Sequence, residues 1–194
     1  MPELEKVSWL RIAIVGLLAV MVLEYAWLRV GPETSRRSGG WPGERIGGAV
    51  CTADGQRGDF GKTDYEWQLT AMDGTDTSLL RHKDKVLFIN VWATWCKPCI
   101  AEMSEIQALH DSLMAHNISF LVISEEDRNT VRSFVQQQGY TFPVYVTERV
   151  PQVFESRGIP ASFVVDRQGL IVLRKIGAGQ WDTDTCRGFL RSLP

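Results

Sequence analysis

Cysteine and histidine are both scarce: the chain has four of the first and three of the second in 194 residues. So few cysteines exclude a small secreted scaffold held together by a dense disulfide framework. Excess charge of either sign is missing too. Against 21 Lys and Arg stand 23 Asp and Glu, a formal net charge of -2, so no global electrostatic pull toward nucleic acid exists. Close repeats and low-complexity tracts are absent, which argues against a collagen-like or wholly disordered chain. What is present is 44% hydrophobic residues, with 10% aromatics. At this length that supplies the core of one well-packed domain, and the chain is too short for two large ones.

Long apolar runs are also rare, and the main one lies near the N-terminus. Ile12 to Leu23 reads IAIVGLLAVMVL, with Arg11 before it and Glu24 after it. As a helix this run spans about 18 Å, short of a hydrocarbon layer of about 30 Å. Extended from Trp9 to Leu28 it approaches the required length, with Arg11 able to snorkel and Trp9, Tyr25 and Trp27 suited to the interfaces. Residues 1–28 therefore read as an N-terminal membrane anchor, spanning about residues 9–28. A cleaved signal peptide fits less well, because no clear small-x-small site follows the run. A buried or amphipathic helix is the remaining alternative. Lys6 and Arg11 precede the span while Arg29, Arg36, Arg37 and Arg45 follow it, so charge does not set its orientation.

Residues 29–64 read as a linker or pre-domain segment. Positions 31–48 are rich in Gly, Pro, Ser and Arg without helical or strand period, Cys51 is flanked by small and polar residues, and Asp54-Gly55 suits a tight turn. From residue 65 to 194 the pattern is α/β. Tyr65–Leu69 and Thr75–Leu79 flank Met72-Asp73-Gly74 as a small hairpin. Val86–Val91 (VLFINV) is a buried strand, and Ile100, Met103, Ile106, Leu109 and Leu113 then recur at helical spacing. Ile118–Ile123 is a second core strand, Asn129–Gln138 a helix stopped by Gly139, and Thr141–Val146 a third strand interrupted by Pro143. Val150–Glu155 suits a short helix. Ala161–Asp166 and Leu170–Arg174 form a hairpin around Gln168-Gly169, and Asp182–Leu193 supplies a last helix. This alternation predicts a mixed central sheet flanked by helices on both sides.

One motif carries chemistry. Trp95-Cys96-Lys97-Pro98-Cys99 lies between the VLFINV strand and the following helix. Two cysteines at a helix start can close a short disulfide. The first is expected to face solvent beside the unpaired amides and positive end of the helix, which favour its thiolate and make it a nucleophile and leaving group. The second, one turn inside, can attack a mixed disulfide and release the reduced substrate. Pro98 fits a first helical turn, and Lys97 adds a cation that favours thiolate. Trp95, beside the sulfur, is placed to shape a docking surface. A zinc site would need further ligands, but Cys51 and Cys186 are isolated and His82, His110 and His116 show no ligand spacing with the pair. No metal and no cofactor beyond the Cys96–Cys99 disulfide is therefore expected; an inert disulfide is the other alternative.

The run FINVWATWCKPCIAEM resembles membrane-anchored or periplasmic thioredoxin-like proteins of the TlpA/ResA type. The resemblance covers roughly Tyr65 to Leu193. It implies a thioredoxin-like fold with an added N-terminal hairpin and a helix–strand insert in the middle of the core. By this resemblance Cys96 is the attacking cysteine, Cys99 the resolving one, and Glu102 a glutamate that assists proton handling at the thiols. Asn90 stands where thioredoxin itself has a buried acid. Gly158-Ile159-Pro160 matches the loop whose proline is cis and faces the disulfide. Ser104 departs from the pattern, standing where the family has a helix-kinking proline. The residues alone leave alternatives open: Glu102 as a solvated helix residue, and Pro160 as a trans proline opening a strand.

The function implied is thiol–disulfide exchange with cysteine-containing client proteins such as apocytochrome c, recharged by a membrane thiol–disulfide reductase. It places the chain as a single-pass protein of a bacterial inner membrane, with the C-terminal domain in the periplasm or otherwise outside the cytoplasm. A dithiol oxidase or thiol peroxidase, and a membrane-tethered metal-binding chaperone, are the rival readings. Cys51 and Cys186 either pair or stay as two unrelated buried thiols; their sequence separation does not decide.

Overall fold

The computed structural model describes residues 47–51 and 58–194. The apolar run of residues 12–23 and the Asp54-Gly55 turn lie outside the described residues. In chain order the elements are β1 (Gly47–Ala49), β2 (Gln68–Ala71), β3 (Asp76–Ser78), β4 (Val86–Trp92), α1 (Lys97–Leu113), β5 (Ile118–Ser124), α2 (Arg128–Gln138), β6 (Val144–Val146), β7 (Ala161–Val165), β8 (Ile171–Ile176), β9 (Gly179–Gln180) and α3 (Asp184–Ser192). Two 3-10 turns, Leu79–His82 and Gln152–Phe154, complete the set. Among the described residues no helix is long and apolar enough to cross a membrane.

The sheet is built outward from β4. All seven of its residues are buried, as a near-continuous apolar run requires when both faces of a strand are covered. It pairs in parallel with β5 along its whole length and antiparallel with β7. The full order is β3-β2-β6-β5-β4-β7-β8. The β2–β3 hairpin at one edge turns through Gly74 at φ 93°, a conformation that glycine adopts without strain. The opposite edge, β8, is covered by residues 58–63: the N–H groups of Gly58, Phe60 and Thr63 donate to the carbonyls of Val172, Ile171 and Gly169. An exposed row of strand hydrogen-bonding groups is thus capped by the segment that precedes the hairpin.

Alternation along β4 sorts side chains into two cores. Val86, Phe88 and Trp92 join the buried side chains of α1, α2 and α3, whereas Leu87, Ile89 and Val91 pack with Trp67, Leu79, Phe154 and Phe163. Helices on both faces were expected, and this is corrected: all three α-helices bury their apolar side chains in one core. The other core is closed by the two 3-10 turns. The short helix expected over Val150–Glu155, between β6 and β7, is the 3-10 turn Gln152–Phe154, which inserts Phe154 between Trp67 and Phe163 at centroid distances of 5.1 and 5.2 Å. The third strand is also shorter than expected. Pro143 has no N–H for a ladder, so pairing starts at Val144, while its carbonyl accepts the Val122 N–H.

Both ends of α2 are fixed locally. The Asp127 carboxylate accepts the N–H groups of Asn129 and Thr130, and Gly139 ends the helix at φ 73°. Helix α1 begins earlier than its apolar stripe suggests, at Lys97, so the CxxC motif forms its first turn. It runs unbroken past the exposed Ser104.

Candidate active site

Cys96 and Cys99 form a disulfide with a Cα–Cα separation of 5.2 Å. Cys96 is the N-cap residue of α1, and its Sγ accepts the N–H of Cys99 at 3.2 Å. A sulfur held by an otherwise unpaired helix amide, at the positive end of the helix, is stabilised as an anion once the disulfide opens. Pro98 occupies the first turn without disturbing this contact. The expectation that Cys96 faces solvent is corrected: the residue is only 4% exposed, and Cys99 is fully buried. Its sulfur points back toward the helix and is bonded to Cys99. The exposed feature of the motif is Trp95, at 71%, and Lys97 is exposed beside it.

The turn that delivers the motif is held by a residue that the motif does not contain. Glu126, just beyond β5, accepts the Thr94 N–H at 2.6 Å and the Thr94 hydroxyl at 2.7 Å, and also takes the Ser124 hydroxyl. Since β4 and β5 are paired neighbours, this carboxylate bridges the ends of two adjacent strands under the cysteine loop. The sequence offers three consecutive acids there, with nothing to show which one turns inward.

Glu102 follows one helical turn after Cys99 and is completely buried, so it is not a solvated helix residue. Its Oε1 accepts from Asn90 Nδ2 at 2.9 Å, and its Oε2 accepts from the Gly179 N–H at 2.8 Å and the Trp181 indole N–H at 3.0 Å. Burial pushes its pKa from 4.5 up to about 7, against the opposing pull of the Gly179, Trp181 and Asn90 donors and of Lys175. Asn90, the one polar residue of β4, also donates to Ser162 Oγ at 2.8 Å. A buried carboxyl near pKa 7 exchanges its proton in the range where thiol chemistry operates.

The Ile159–Pro160 peptide bond is cis, which settles the alternative between a cis and a trans proline. It immediately precedes Ala161, which pairs with Val91 near the end of β4. The loop thus lies across the strand end from which the chain runs to Cys96. Pro160 is buried and Ile159 packs against both cores. Cys96 and Cys99 belong to the helical core, Asn90 and Glu102 are hydrogen-bonded to each other beside it, and Trp95, Lys97 and Pro98 surround the cysteines in sequence.

Cys51 and Cys186, left open by the sequence, are joined by a disulfide with a Cα–Cα distance of 4.9 Å across 135 residues. Sequence reasoning did not single out Gly179, Trp181 or Glu105, whose Oε2 accepts the backbone N–H groups of Trp181 and Asp182. Among the described residues no group of His, Cys, Asp and Glu could hold a metal ion.

A mixed sheet with its helical core on one side, and a cysteine pair capping the helix after a central strand, define a thiol–disulfide oxidoreductase of the thioredoxin superfamily. Residues 61–174 match the profile of the AhpC/TSA family, and the chain belongs to that family. It is 27% identical over 144 residues to "Thiol-disulfide oxidoreductase ResA" of Bacillus thuringiensis (strain Al Hakam), covering 73% of this chain and 82% of that one. The ResA of Geobacillus thermodenitrificans (strain NG80-2) is 29% identical over 137 residues, 69% of this chain and 77% of its own. In fold the chain is similar to the thiol:disulfide interchange protein, a thioredoxin family protein, of Chlorobium tepidum TLS. The TM-score there is 0.55 at 23% identity, covering 71% of this chain and 99% of that one.

Proposed function

We propose that the protein reduces disulfides in cysteine-containing client proteins, with Cys96 as the attacking sulfur and Cys99 as the resolving one. The observation that carries the assignment is the hydrogen bond from the Cys99 N–H to Cys96 Sγ at the start of α1. In the reduced protein that donor, with the helix end behind it, favours Cys96 as thiolate. The thiolate attacks one sulfur of a client disulfide. A mixed disulfide forms, the client S–S bond breaks, and the departing client thiolate takes a proton. Cys99 then loses its proton and attacks Cys96 Sγ, closing the Cys96–Cys99 bond and releasing the second client sulfur as a thiol. Two electrons pass from the dithiol to the client. A membrane thiol–disulfide reductase would return the pair to its reduced form.

Glu102, one turn along the helix, takes the Cys99 proton, and Asn90 orients its carboxyl. Trp95 and Lys97 present the docking surface, Pro98 fixes the first turn, and the Ile159-Pro160 edge receives an extended client peptide. The apolar run of residues 12–23 supports an anchored protein, with residues 1–28 in the membrane, 29–64 as linker and 65–194 as the working domain outside the cytoplasm. The likeness to thiol-disulfide oxidoreductases supports cysteine-containing clients, with apocytochrome c as the proposed one. Trapping tests the cysteine roles. Cys99→Ala should accumulate mixed disulfides with clients and Cys96→Ser should not; equal trapping by both, or by neither, refutes the assignment. A reporter fused to the C-terminus tests topology, and activity of a cytoplasmic reporter would sink the envelope placement.

A further inference from the structure

The buried face of Glu102 is covered by a short strap, residues 179–182. Gly179 and Trp181 both donate to Glu102 Oε2, and one turn further along α1 Glu105 holds the N–H groups of Trp181 and Asp182. Outside this strap lies β1, paired in parallel with β9 through Gly47 opposite Gly179 and Ala49 opposite Gln180. Val50 follows, 4% exposed, and a Cβ on Gly179 would collide with its Cγ2. Glycine at 179 therefore lets Val50 close directly over the strap. The next residue, Cys51, is bonded to Cys186 in the first turn of α3, whose N-cap Thr183 lies two residues beyond Trp181. A ladder of two residue pairs with an irregular register has little stability of its own, so the covalent bond is its anchor.

We propose that the Cys51–Cys186 disulfide is a positioning brace for Glu102: it clamps β1 and Val50 onto the strap, which keeps two donors on the carboxyl and keeps water out. The functional consequence rests on the reading of Glu102 as the proton carrier for Cys99. The groups facing Glu102 are few. Lys175 acts on it from β8, Asn90 of β4 donates to it with Ser162 of β7 behind, and the strap offers N–H donors. On its own helix, Glu105 is engaged by the strap, and the thiols of Cys96 and Cys99 join in once reduced. Burial is the largest influence on Glu102 and the donors oppose it. Loss of the brace therefore lowers the Glu102 pKa through hydration, whereas loss of one donor alone raises it.

The experiment is a pH titration of the Glu102 carboxyl carbon by NMR in oxidised, glutamate-labelled protein, with Glu102→Gln assigning the resonance. Cys51→Ala/Cys186→Ala should lower the midpoint by about one pH unit. Gly179→Ala, which keeps the disulfide but pushes Val50 away, should lower it too, and Trp181→Phe should raise it. An unchanged or raised midpoint in the folded double variant overturns the brace; should that variant not fold, the Gly179→Ala midpoint decides in the same way. The proton-carrier reading fails separately, if Glu102→Gln leaves the pH profile of Cys96 alkylation in the reduced protein unaltered.

Discussion

Replacing Glu102 with Gln should remove a specific component of the pH dependence of stability. The folded protein holds this carboxyl at about 7 rather than 4.5. Between those values the native state carries a proton that the unfolded chain has released. Stability from this group is therefore greatest at and below pH 4.5, falls as pH rises, and levels off above 7. A shift of this size corresponds to about 3 kcal/mol, a large part of a typical domain's 5–15 kcal/mol. His82 works in the opposite direction within the same window. Burial, with Lys85 and Arg81 adding to it, holds its pKa below 6.5, so the unfolded state takes that proton first and stability is lost as pH falls through 6.5. Asp73, whose pKa is lowered by hydrogen bonds from Thr75, titrates below the window.

The wild-type curve alone is thus a sum of opposing trends, and the difference between wild type and Glu102→Gln isolates the carboxyl. Urea unfolding of the oxidised protein at steps from pH 4.5 to 8 measures it, with both disulfides intact at every point. Gln keeps the volume and an acceptor oxygen for Gly179 and Trp181 but turns an amide toward another donor, an offset that does not depend on pH. The difference in stability should change by about 3 kcal/mol across the window, the variant gaining relative to wild type as pH rises. A difference that stays constant from pH 4.5 to 8 would refute both the burial argument and the raised pKa.

Glu126→Ala removes the acceptor for the Thr94 N–H and hydroxyl and should cost about 1–3 kcal/mol, read as a lower urea midpoint at unchanged slope, with Glu126→Gln restoring part of the loss. Asp127→Ala strips the cap of α2 from Asn129 and Thr130 and should cost about 1 kcal/mol by the same measurement.

Those two acids, with Glu125, show where sequence reading stops. Glu125 accepts the Val150 N–H, Glu126 clamps Thr94, and Asp127 caps α2. The third role follows from a local pattern, an Asp placed just before a periodic apolar segment. The first two depend on partners 25 and 32 residues away, and no local signal separates neighbouring acids. The strand, the CxxC turn and the helix were legible because each is written in consecutive residues. The Cys51–Cys186 bond was not, since closure across 135 residues is decided by how β1 docks on β9. The short helix expected over Val150–Glu155 is present as a 3-10 turn over Gln152–Phe154, but that such turns rather than an α-helix close the second sheet face depends on packing that no run of consecutive residues spells out.

Glu102 is the instructive intermediate. The spacing of Met103, Ile106, Leu109 and Leu113 marks the buried stripe of α1, and residue 102 stands on it: four residues before Ile106, seven before Leu109, eleven before Leu113. An acid there must be neutralised or supplied with donors, because an unpartnered buried charge is far too costly. The stripe therefore contained the prediction that partners exist, although not that Gly179 and Trp181, 77 and 79 residues distant, would provide them. Three donors are enough to hold the carboxylate when it forms but do not restore what water would give, which is why its pKa settles near 7 rather than returning to the ordinary carboxylate range. With fewer donors the group would stay protonated throughout the neutral range, and with water admitted it would stay ionised. Either change would remove its capacity to exchange a proton one helical turn from a redox cysteine.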